Sequence, residues 1–179
     1  MSDPVVLLRP FREADLELLY RFATDADFSA PFEWAGFKSP EGFRRRWAED
    51  GFLDKDPHQL VISQPDETAL GWVMWQEATP SGGGGPGVWV IGALLAPEHR
   101  GRGVGTAAQR LLVEHLFTTT TAHRLCAFTE ADNVAEQRSL EKCGFCREGV
   151  LREAAFRGGR RRDLVVYGRL RDDAVSSDI

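Results

Sequence analysis

The sequence predicts a single domain of mixed α and β structure. Short apolar runs typical of strands alternate with segments whose apolar residues recur at helical spacing. A glycine-rich segment joins one of these strands to one of these helices. A length of 179 residues with 42% hydrophobic residues suffices for one substantial core. We therefore expect residues 1–179 to form one domain, with its core at 5–172 and a flexible tail at 173–179.

The first half of the chain contains one strand, two helices and then two strands. Residues 5–9 form a short, mostly apolar run typical of a strand, and residues 13–23 carry a helical apolar stripe. Ser39 and Pro40 suit the N-cap and the first position of a helix that extends to about residue 49. Turn residues separate the two strands, which we place at residues 58–63 and 69–77.

The second half continues with strands and helices in alternation. We expect a strand at 88–95, a helix at about 106–117, a strand at 124–129 and a polar helix that begins at Asn133. Two final strands meet at a hairpin turn at 157–160. The glycine- and proline-rich residues 79–87 are predicted to be a flexible loop within the domain.

Composition and charge exclude several classes of protein. A net charge of −5 argues against broad binding to nucleic acid or membranes. No apolar stretch approaches the roughly 18 residues that a membrane span needs. The first residues lack a secretion signal, so a cytoplasmic protein is expected. The three cysteines form no disulfide framework; Cys143 and Cys146 are expected to end a helix and begin a strand, and no metal site is predicted.

The most informative segment is the glycine-rich connection at residues 94–106. Three glycines at alternate positions leave the backbone N–H groups uncovered, and the helix that follows adds its own unpaired N–H groups. Such a cradle usually binds phosphate. A nucleotide-hydrolase phosphate loop is excluded because the Gly-Lys-Ser/Thr ending is missing. A dinucleotide fingerprint fits loosely at residues 103–108, and an ordinary strand–turn–helix connection remains a third interpretation.

Two motifs resemble one family. The pattern Arg100-x-x-Gly103-x-Gly105 between a strand and a helix resembles the pyrophosphate motif of the GNAT superfamily of N-acetyltransferases. Asn133, followed by Glu-Lys-x-Gly-Phe at residues 141–145, is similar to the fourth-helix signature of that superfamily. Residues 8–15 and the final strands resemble its branch of ribosomal-protein alanine acetyltransferases. The resemblance covers about residues 5–172.

The resemblance implies a fold and a co-substrate. The fold is a mixed, mostly antiparallel, seven-stranded sheet with about four helices, in which the two central strands, 88–95 and 124–129, splay apart. The co-substrate is acetyl-CoA, whose pantetheine lies in that gap. The residues implied to bind it are Leu94, Leu95, Arg100, Gly101, Arg102, Gly103, Val104, Gly105, Thr106 and Asn133.

The implied reaction is direct acyl transfer to an amine, with a backbone N–H near Leu95 stabilising the oxyanion. Two residues that this family often uses are missing: Leu140 replaces a tyrosine acid, and residues 88–95 contain no carboxylate. Glu136 is a candidate acid for the leaving thiolate, although Asn133-x-x-Glu136 is also the spacing of a capping box. The candidate bases are Glu33, Glu77, Glu98, His99 and Glu153, of which Glu33 is the one we favour.

The acceptor remains open at this point. Four aromatic residues and Glu33 within residues 28–37 suit a cationic amine, whereas four arginines within 157–162 suit an acidic acceptor. We expect a protein N-terminus or a small-molecule amine such as an antibiotic, and a monomer or homodimer. The alternatives are a non-catalytic acyl-CoA-binding module and a nicotinamide-dependent oxidoreductase.

Overall fold

A computed structural model describes residues 4–78 and 88–173 of the chain. Five α-helices are present in these residues: α1 (Leu16–Thr24), α2 (Ala26–Ser29), α3 (Pro40–Asp50), α4 (Val104–Thr119) and α5 (Val134–Lys142). The strands are β1 (Leu7–Arg9), β2 (His58–Ser63), β3 (Ala69–Ala78), β4 (Val88–Leu95), β5 (Arg124–Glu130), β6 (Cys146–Arg157) and β7 (Arg160–Leu170).

All seven strands form one sheet in the order β1-β2-β3-β4-β5-β7-β6. Five of the neighbouring pairs are antiparallel, and only β4 and β5 are parallel. The parallel pair requires a crossover, which α4 supplies between these two strands. The mixed, mostly antiparallel sheet that the resemblance implied is confirmed.

Successive side chains of the strands pack into two hydrophobic clusters, one on each face of the sheet. Val61 and Trp72 pack with α1, whereas their neighbours Ile62 and Val73 belong to the cluster that contains α4 and part of α5. This alternation follows from the two-residue period of a strand. Helices therefore cover both faces of the sheet.

The central strands β4 and β5 separate along their length. They pair only where Trp89 faces Leu125 and Val90 faces Cys126. Beyond Val90 the ladder between them stops, although β4 continues to Leu95. The predicted splay is confirmed, and it leaves one side of the end of β4 without a neighbouring strand.

Several element boundaries differ from the predictions in small, explicable ways. The helix expected at 13–23 starts with a short 3-10 turn at Glu13–Asp15, and α2 is an additional four-residue helix. Ser39 does occupy the N-cap position of α3, but its side chain makes no capping hydrogen bond. The predicted loop at 79–87 and the tail at 174–179 lie outside the described residues.

The predicted places of Cys143 and Cys146 are confirmed. Cys143 is the C-cap of α5, Gly144 follows it with φ of 80°, and Cys146 begins β6. A left-handed residue after a helix is the usual place for glycine, because a Cβ is unfavourable there. Cys126, Cys143 and Cys146 are all free thiols.

Candidate active site

The connection between β4 and α4 forms an exposed backbone cradle. Gly101 and Gly103 both have positive φ, 71° and 80°, and Gly103 is the N-cap of α4. The first helical hydrogen bond runs from the Ala107 N–H to the Gly103 carbonyl, 3.0 Å. The N–H groups that precede Ala107 in the helix therefore have no carbonyl one turn earlier to bind. The positive end of the α4 dipole coincides with these donors.

A cavity of about 470 Å³ opens beside this cradle. It is bounded by the ends of β4 and α4, by the first turns of α5, and by the segment that follows α2. Its lining residues include most of the predicted co-substrate set, namely Leu94, Leu95, Arg100, Gly101, Gly103, Gly105, Thr106 and Asn133. Of that set, Arg102 is exposed and Val104 is buried, and neither contributes to the lining.

Gly71 in β3 lies directly against the peptide that joins Leu94 to Leu95. A Cβ built on Gly71 would lie 2.0 Å from the Leu94 carbonyl oxygen. The register pairs Leu94 with Trp72, the residue after Gly71, so this carbonyl points toward β3. The C=O and N–H of a trans peptide point in opposite directions. The Leu95 N–H therefore points away from β3, on the part of β4 that is no longer paired with β5.

Arg100 ties two parts of the cavity together. Its guanidinium donates to the carbonyl oxygens of Leu95 (2.9 Å), Phe28 (3.0 Å) and Ala30. Its backbone N–H donates to Pro97 at 3.2 Å. The resemblance implied that Arg100 binds the co-substrate, and the three guanidinium bonds give its side chain a role within the protein as well. The side chain fastens the segment after α2 to the end of β4.

Replacing Arg100 by methionine is expected to cost about 1–3 kcal/mol of folding free energy, because carbonyl oxygens in the cavity wall lose their donors. The released segment also carries Glu33, which lines the cavity, so kinetic constants that depend on ligand binding there should worsen as well. Chemical denaturation and steady-state kinetics measure both effects. Arg102→Met, at an exposed position of the same segment, is the matched control and should leave stability unchanged. Equal stability of the two variants would contradict the fastening role.

Asn133 and Glu136 form only half of the predicted capping box. Asn133 is the N-cap of α5, and its Oδ1 accepts from the Glu136 N–H at 3.3 Å. The reciprocal bond is absent: the Asn133 N–H donates to the Glu130 carbonyl at 2.9 Å, and the Glu136 carboxyl accepts from Gln109 Nε2 at 2.5 Å. The capping role suggested for the Glu136 side chain is therefore wrong. Gln109 lies on α4, 27 positions before Glu136, so the spacing of nearby residues could not predict this hydrogen bond.

Burial changes the acidity of Glu136. Desolvation raises the pKa of this carboxyl to about 7, with a smaller contribution from the negative charge of Glu33, while the hydrogen bond from Gln109 acts in the opposite direction. Desolvation by the surrounding protein also raises the pKa of Glu33, although the positive charges of Arg157 and Arg100 oppose the shift. Part of the Glu33 side chain remains exposed at the cavity. The cavity thus holds two carboxyl groups that are both easier to protonate than usual.

Glu136→Gln is expected to stabilise the protein at pH 8 and to have little effect at pH 5. The folded protein binds a proton on Glu136 more tightly than the unfolded chain does, so stability falls as pH rises from about 4.5 to about 7. A neutral amide removes that loss. Calorimetric Tm values at the two pH values measure it, with exposed Glu98→Gln as the control that should show no pH-dependent difference. A lower Tm for Glu136→Gln at pH 8 would contradict the assigned burial cost.

The remaining base candidates are spread over the molecule. Among the five, all of which lie within the described residues, Glu33 is the one that lines the cavity. Glu77 is an exposed residue of β3, Glu98 and His99 belong to the 3-10 turn after β4, and Glu153 lies on β6 at the sheet edge.

The aromatic segment (residues 28–37) and the arginine hairpin (residues 157–162) contact each other. Phe32 and Glu33 line the cavity, whereas Phe37 is 81% exposed and packs edge-on against Trp34. Arg157 in the hairpin donates to the Trp34 carbonyl at 2.8 Å and pairs with Glu130. Arg162, a second hairpin arginine, pairs with Asp132 at 3.1 Å. The positive charge of these two side chains is therefore balanced within the protein.

Within residues 4–78 and 88–173, no group of three or more His, Cys, Asp or Glu side chains is arranged to hold a metal ion. In the same residues, none of the helices combines the length and the apolar character needed to traverse a bilayer.

Splayed central strands, a helix N-terminus that offers free backbone donors, and a cavity between them together form a site suited to a phosphate-bearing ligand. Comparisons with known proteins agree. The sequence model of the Acetyltransferase (GNAT) domain matches residues 6–146. The chain belongs to the GNAT acetyltransferase family; it is an N-acetyltransferase and its co-substrate is acetyl-CoA.

Individual relatives cover much of the chain. "Probable N-acetyltransferase YjcK" of Bacillus subtilis is 29% identical over 160 residues, which is 86% of this chain and 87% of that protein. YdaF of the same organism, by its provisional name a ribosomal N-acetyltransferase, is 32% identical over 81 residues, 45% of this chain and 44% of that protein. The crystal structure of spermidine N-acetyltransferase from Vibrio cholerae in complex with CoA and spermine superposes with a TM-score of 0.79 at 20% identity. It covers 94% of this chain and 96% of that one.

Family membership removes the dinucleotide interpretation of residues 103–108. The structure gives the physical reason: a 3-10 turn at Pro97–His99 and two left-handed glycines separate β4 from α4. A dinucleotide fingerprint instead passes directly from strand to helix.

Proposed function

We propose that the protein transfers the acetyl group of acetyl-CoA to a primary amine by direct attack within a ternary complex. The observation that carries this proposal is the cavity itself, because it joins the α4 donors, the Leu94–Leu95 peptide and two carboxyl groups. Holding both substrates in one cavity lowers the entropic part of the barrier without a covalent enzyme intermediate.

The co-substrate fits the donors that the structure offers. The N–H groups of residues 101–106 suit the pyrophosphate, with the α4 dipole adding to the attraction. Asn133 lines the cavity at the start of α5, and the amide edge that its capping bond leaves free suits the pantetheine. The end of β4 that β5 leaves unpaired suits the extended pantetheine arm, as in strand addition.

Each reacting position has a protein group beside it. The Leu95 N–H is the proposed donor to the developing oxyanion, a contribution that reaches roughly 10²–10³ in rate at comparable sites. In the overall reaction the amine nitrogen forms a bond to the acetyl carbon and the carbon–sulfur bond breaks. The amine then loses a proton, for which Glu33 is the proposed acceptor, and the departing thiolate gains one, for which Glu136 is the proposed donor. A carboxyl with a pKa of about 7 is partly protonated at neutral pH, as this donor role requires.

The cavity favours a cationic acceptor. Glu33 and Glu136 place two acidic groups in its wall, which Phe32 also lines, and such groups attract an ammonium. The cationic residues of the same wall, Arg138 and Lys142, suit the phosphates of the co-substrate. Arg157 and Arg162, the hairpin arginines with carboxylate partners, weaken the case for an acidic acceptor. The proposed substrates are therefore a small-molecule polyamine or amine antibiotic, or a protein N-terminus, in that order.

A mass-spectrometric acetyl-transfer screen tests the function. Purified protein and acetyl-CoA are incubated with polyamines, aminoglycosides and pooled peptides that begin with alanine or serine, beside a control without acceptor. An acetylated product supports the proposal, and its identity decides the acceptor class. Binding of acetyl-CoA without turnover of any amine would favour the alternative of an acyl-CoA-binding module, for which Leu140 in place of a tyrosine is the supporting observation.

A further inference from the structure

Gln109 is an unusual residue for its position. It lies on α4 one helical turn before Val113 and two before Leu116, and all three are buried. An apolar residue would fill this place without the cost of burying an amide. Gln109 is nevertheless 0% exposed and remains polar. A buried amide at this position therefore needs hydrogen-bond partners for both its oxygen and its NH₂ group.

Both ends of the Gln109 amide have such partners, and both belong to α5. Its Oε1 accepts from the Ser139 hydroxyl at 2.8 Å, and its Nε2 donates to Glu136 Oε1 at 2.5 Å. Ser139 is largely buried, yet it lines the same cavity as Glu136. The amide thus joins two side chains of α5 that both belong to the cavity wall.

With the Gln109 amide in this orientation, the hydrogen bonds form a chain that runs in one direction. The Ser139 hydroxyl donates to Gln109 Oε1, so its oxygen accepts from the Thr106 hydroxyl, 2.9 Å away in the first turn of α4. The NH₂ end of Gln109 then faces Glu136. The chain therefore presents a donor to one oxygen of Glu136 and leaves the other oxygen for the cavity.

We propose that Gln109 is a positioning residue that holds the Glu136 carboxyl group toward the cavity and controls how readily it releases its proton. The inference rests on the proposed function, in which Glu136 supplies a proton to the leaving thiolate. A donor to a carboxyl oxygen stabilises the ionised form, so Gln109 limits the effect of burial on this group. Without that donor, Glu136 would keep its proton to higher pH and lose its fixed orientation.

Other charged groups around Glu136 come from every neighbouring element. Glu33 acts on it from the segment after α2, and Arg100, Arg138 and Lys142 line the same cavity. None of these groups is altered by a substitution at position 109. The effect of Gln109 on Glu136 can therefore be measured with the remaining charges constant.

The test compares wild type with Gln109→Met, which keeps the length of the side chain and removes its donor. The ¹³C carboxyl resonance of Glu136, assigned with Glu136→Gln, is titrated by NMR, and kcat is followed against pH. We expect the midpoint to move up by about one pH unit, as loss of a hydrogen bond to a charged group implies. The fall of kcat at high pH should move with it, and KM for acetyl-CoA should not change.

Two further variants make the outcome decisive. Gln59→Met removes another buried glutamine, on β2 away from the cavity, and should leave the midpoint unchanged. Ser139→Ala releases the other end of the Gln109 amide and should shift the midpoint in the same direction by less. An unchanged midpoint in Gln109→Met overturns the inference, and Ser139→Ala decides in the same way if Gln109→Met does not fold. The NMR titration needs no turnover, so it remains valid even if the acetyl-transfer screen finds no product.

Discussion

Gly105→Glu is expected to abolish acetyl-CoA binding while the fold remains intact. Gly105 lies in the first turn of α4 and lines the cavity. A Cβ there meets only Leu95 Cδ1 at 3.5 Å, an ordinary contact, and its φ is not in the left-handed region. Glutamate is a better helix former than glycine and is favoured near a helix N-terminus. Its carboxylate, however, occupies the donors and repels the pyrophosphate, so we expect the affinity to fall by roughly 100-fold or more.

Isothermal titration calorimetry and thermal unfolding together test this expectation. Gly105→Ala measures the effect of the backbone change alone, and Gly105→Gln measures the effect of bulk without charge. Both should bind acetyl-CoA more tightly than Gly105→Glu does. Gly103 is a poorer place for the same experiment, because its φ of 80° and a 3.3 Å approach to Pro4 strain any side chain. Wild-type affinity in a folded Gly105→Glu would remove the pyrophosphate from this cradle.

Gly71→Ala is expected to reduce both stability and kcat, although it lies behind the cavity. The added methyl group would lie 2.0 Å from the Leu94 carbonyl oxygen and 2.9 Å from the Leu95 Cα, so the β4 backbone must move. Overpacking of this kind costs about 1–3 kcal/mol. The displaced peptide carries the proposed oxyanion donor, and a shift of about 1 Å at a reacting group can lower kcat by roughly 100-fold.

Gly92→Ala is the matched control for this substitution. Gly92 lies on the adjacent strand β4, and its Cβ would touch only the flexible side chain of Met74, at 3.4 Å. We therefore expect Gly92→Ala to keep kcat near the wild-type value. Guanidinium denaturation and steady-state kinetics, with both substrates varied, separate loss of stability from loss of catalysis. A Gly71→Ala variant with unchanged kcat would argue against the Leu95 N–H as the oxyanion donor.

Local patterns predicted those parts of the site that consist of backbone. Glycine spacing at residues 101–105 predicted the cradle, and the side chain of Asn133 does cap α5 as its position suggested. These predictions succeed because turn conformation and helix capping depend on residues a few positions apart. The same local reasoning failed for the Glu136 side chain. A partner 27 positions earlier, Gln109, competes for it, and the capping-box spacing contains no information about that residue.

The sequence also offered a signal for Gln109 that the motifs did not use. A glutamine within the apolar stripe of α4 conflicts with the helical pattern, and such conflicts mark places where a buried partner is required. Arg100 offered no comparable signal. Its acceptors Phe28 and Ala30 are 72 and 70 positions away, and carbonyl oxygens carry no sequence signature.

The sequence by itself determined the order of strands and helices, the splayed mixed sheet through its family resemblance, and the glycine cradle for an anion. These features depend on periodicity, turn chemistry and short motifs, which are local properties of the chain. Only the tertiary structure decided which side chains share the cavity, which way the Leu95 N–H points, and why Glu136 holds its proton near neutral pH. Those properties depend on contacts between elements distant in sequence and on exclusion of water, and both exist only after the two faces of the sheet are covered.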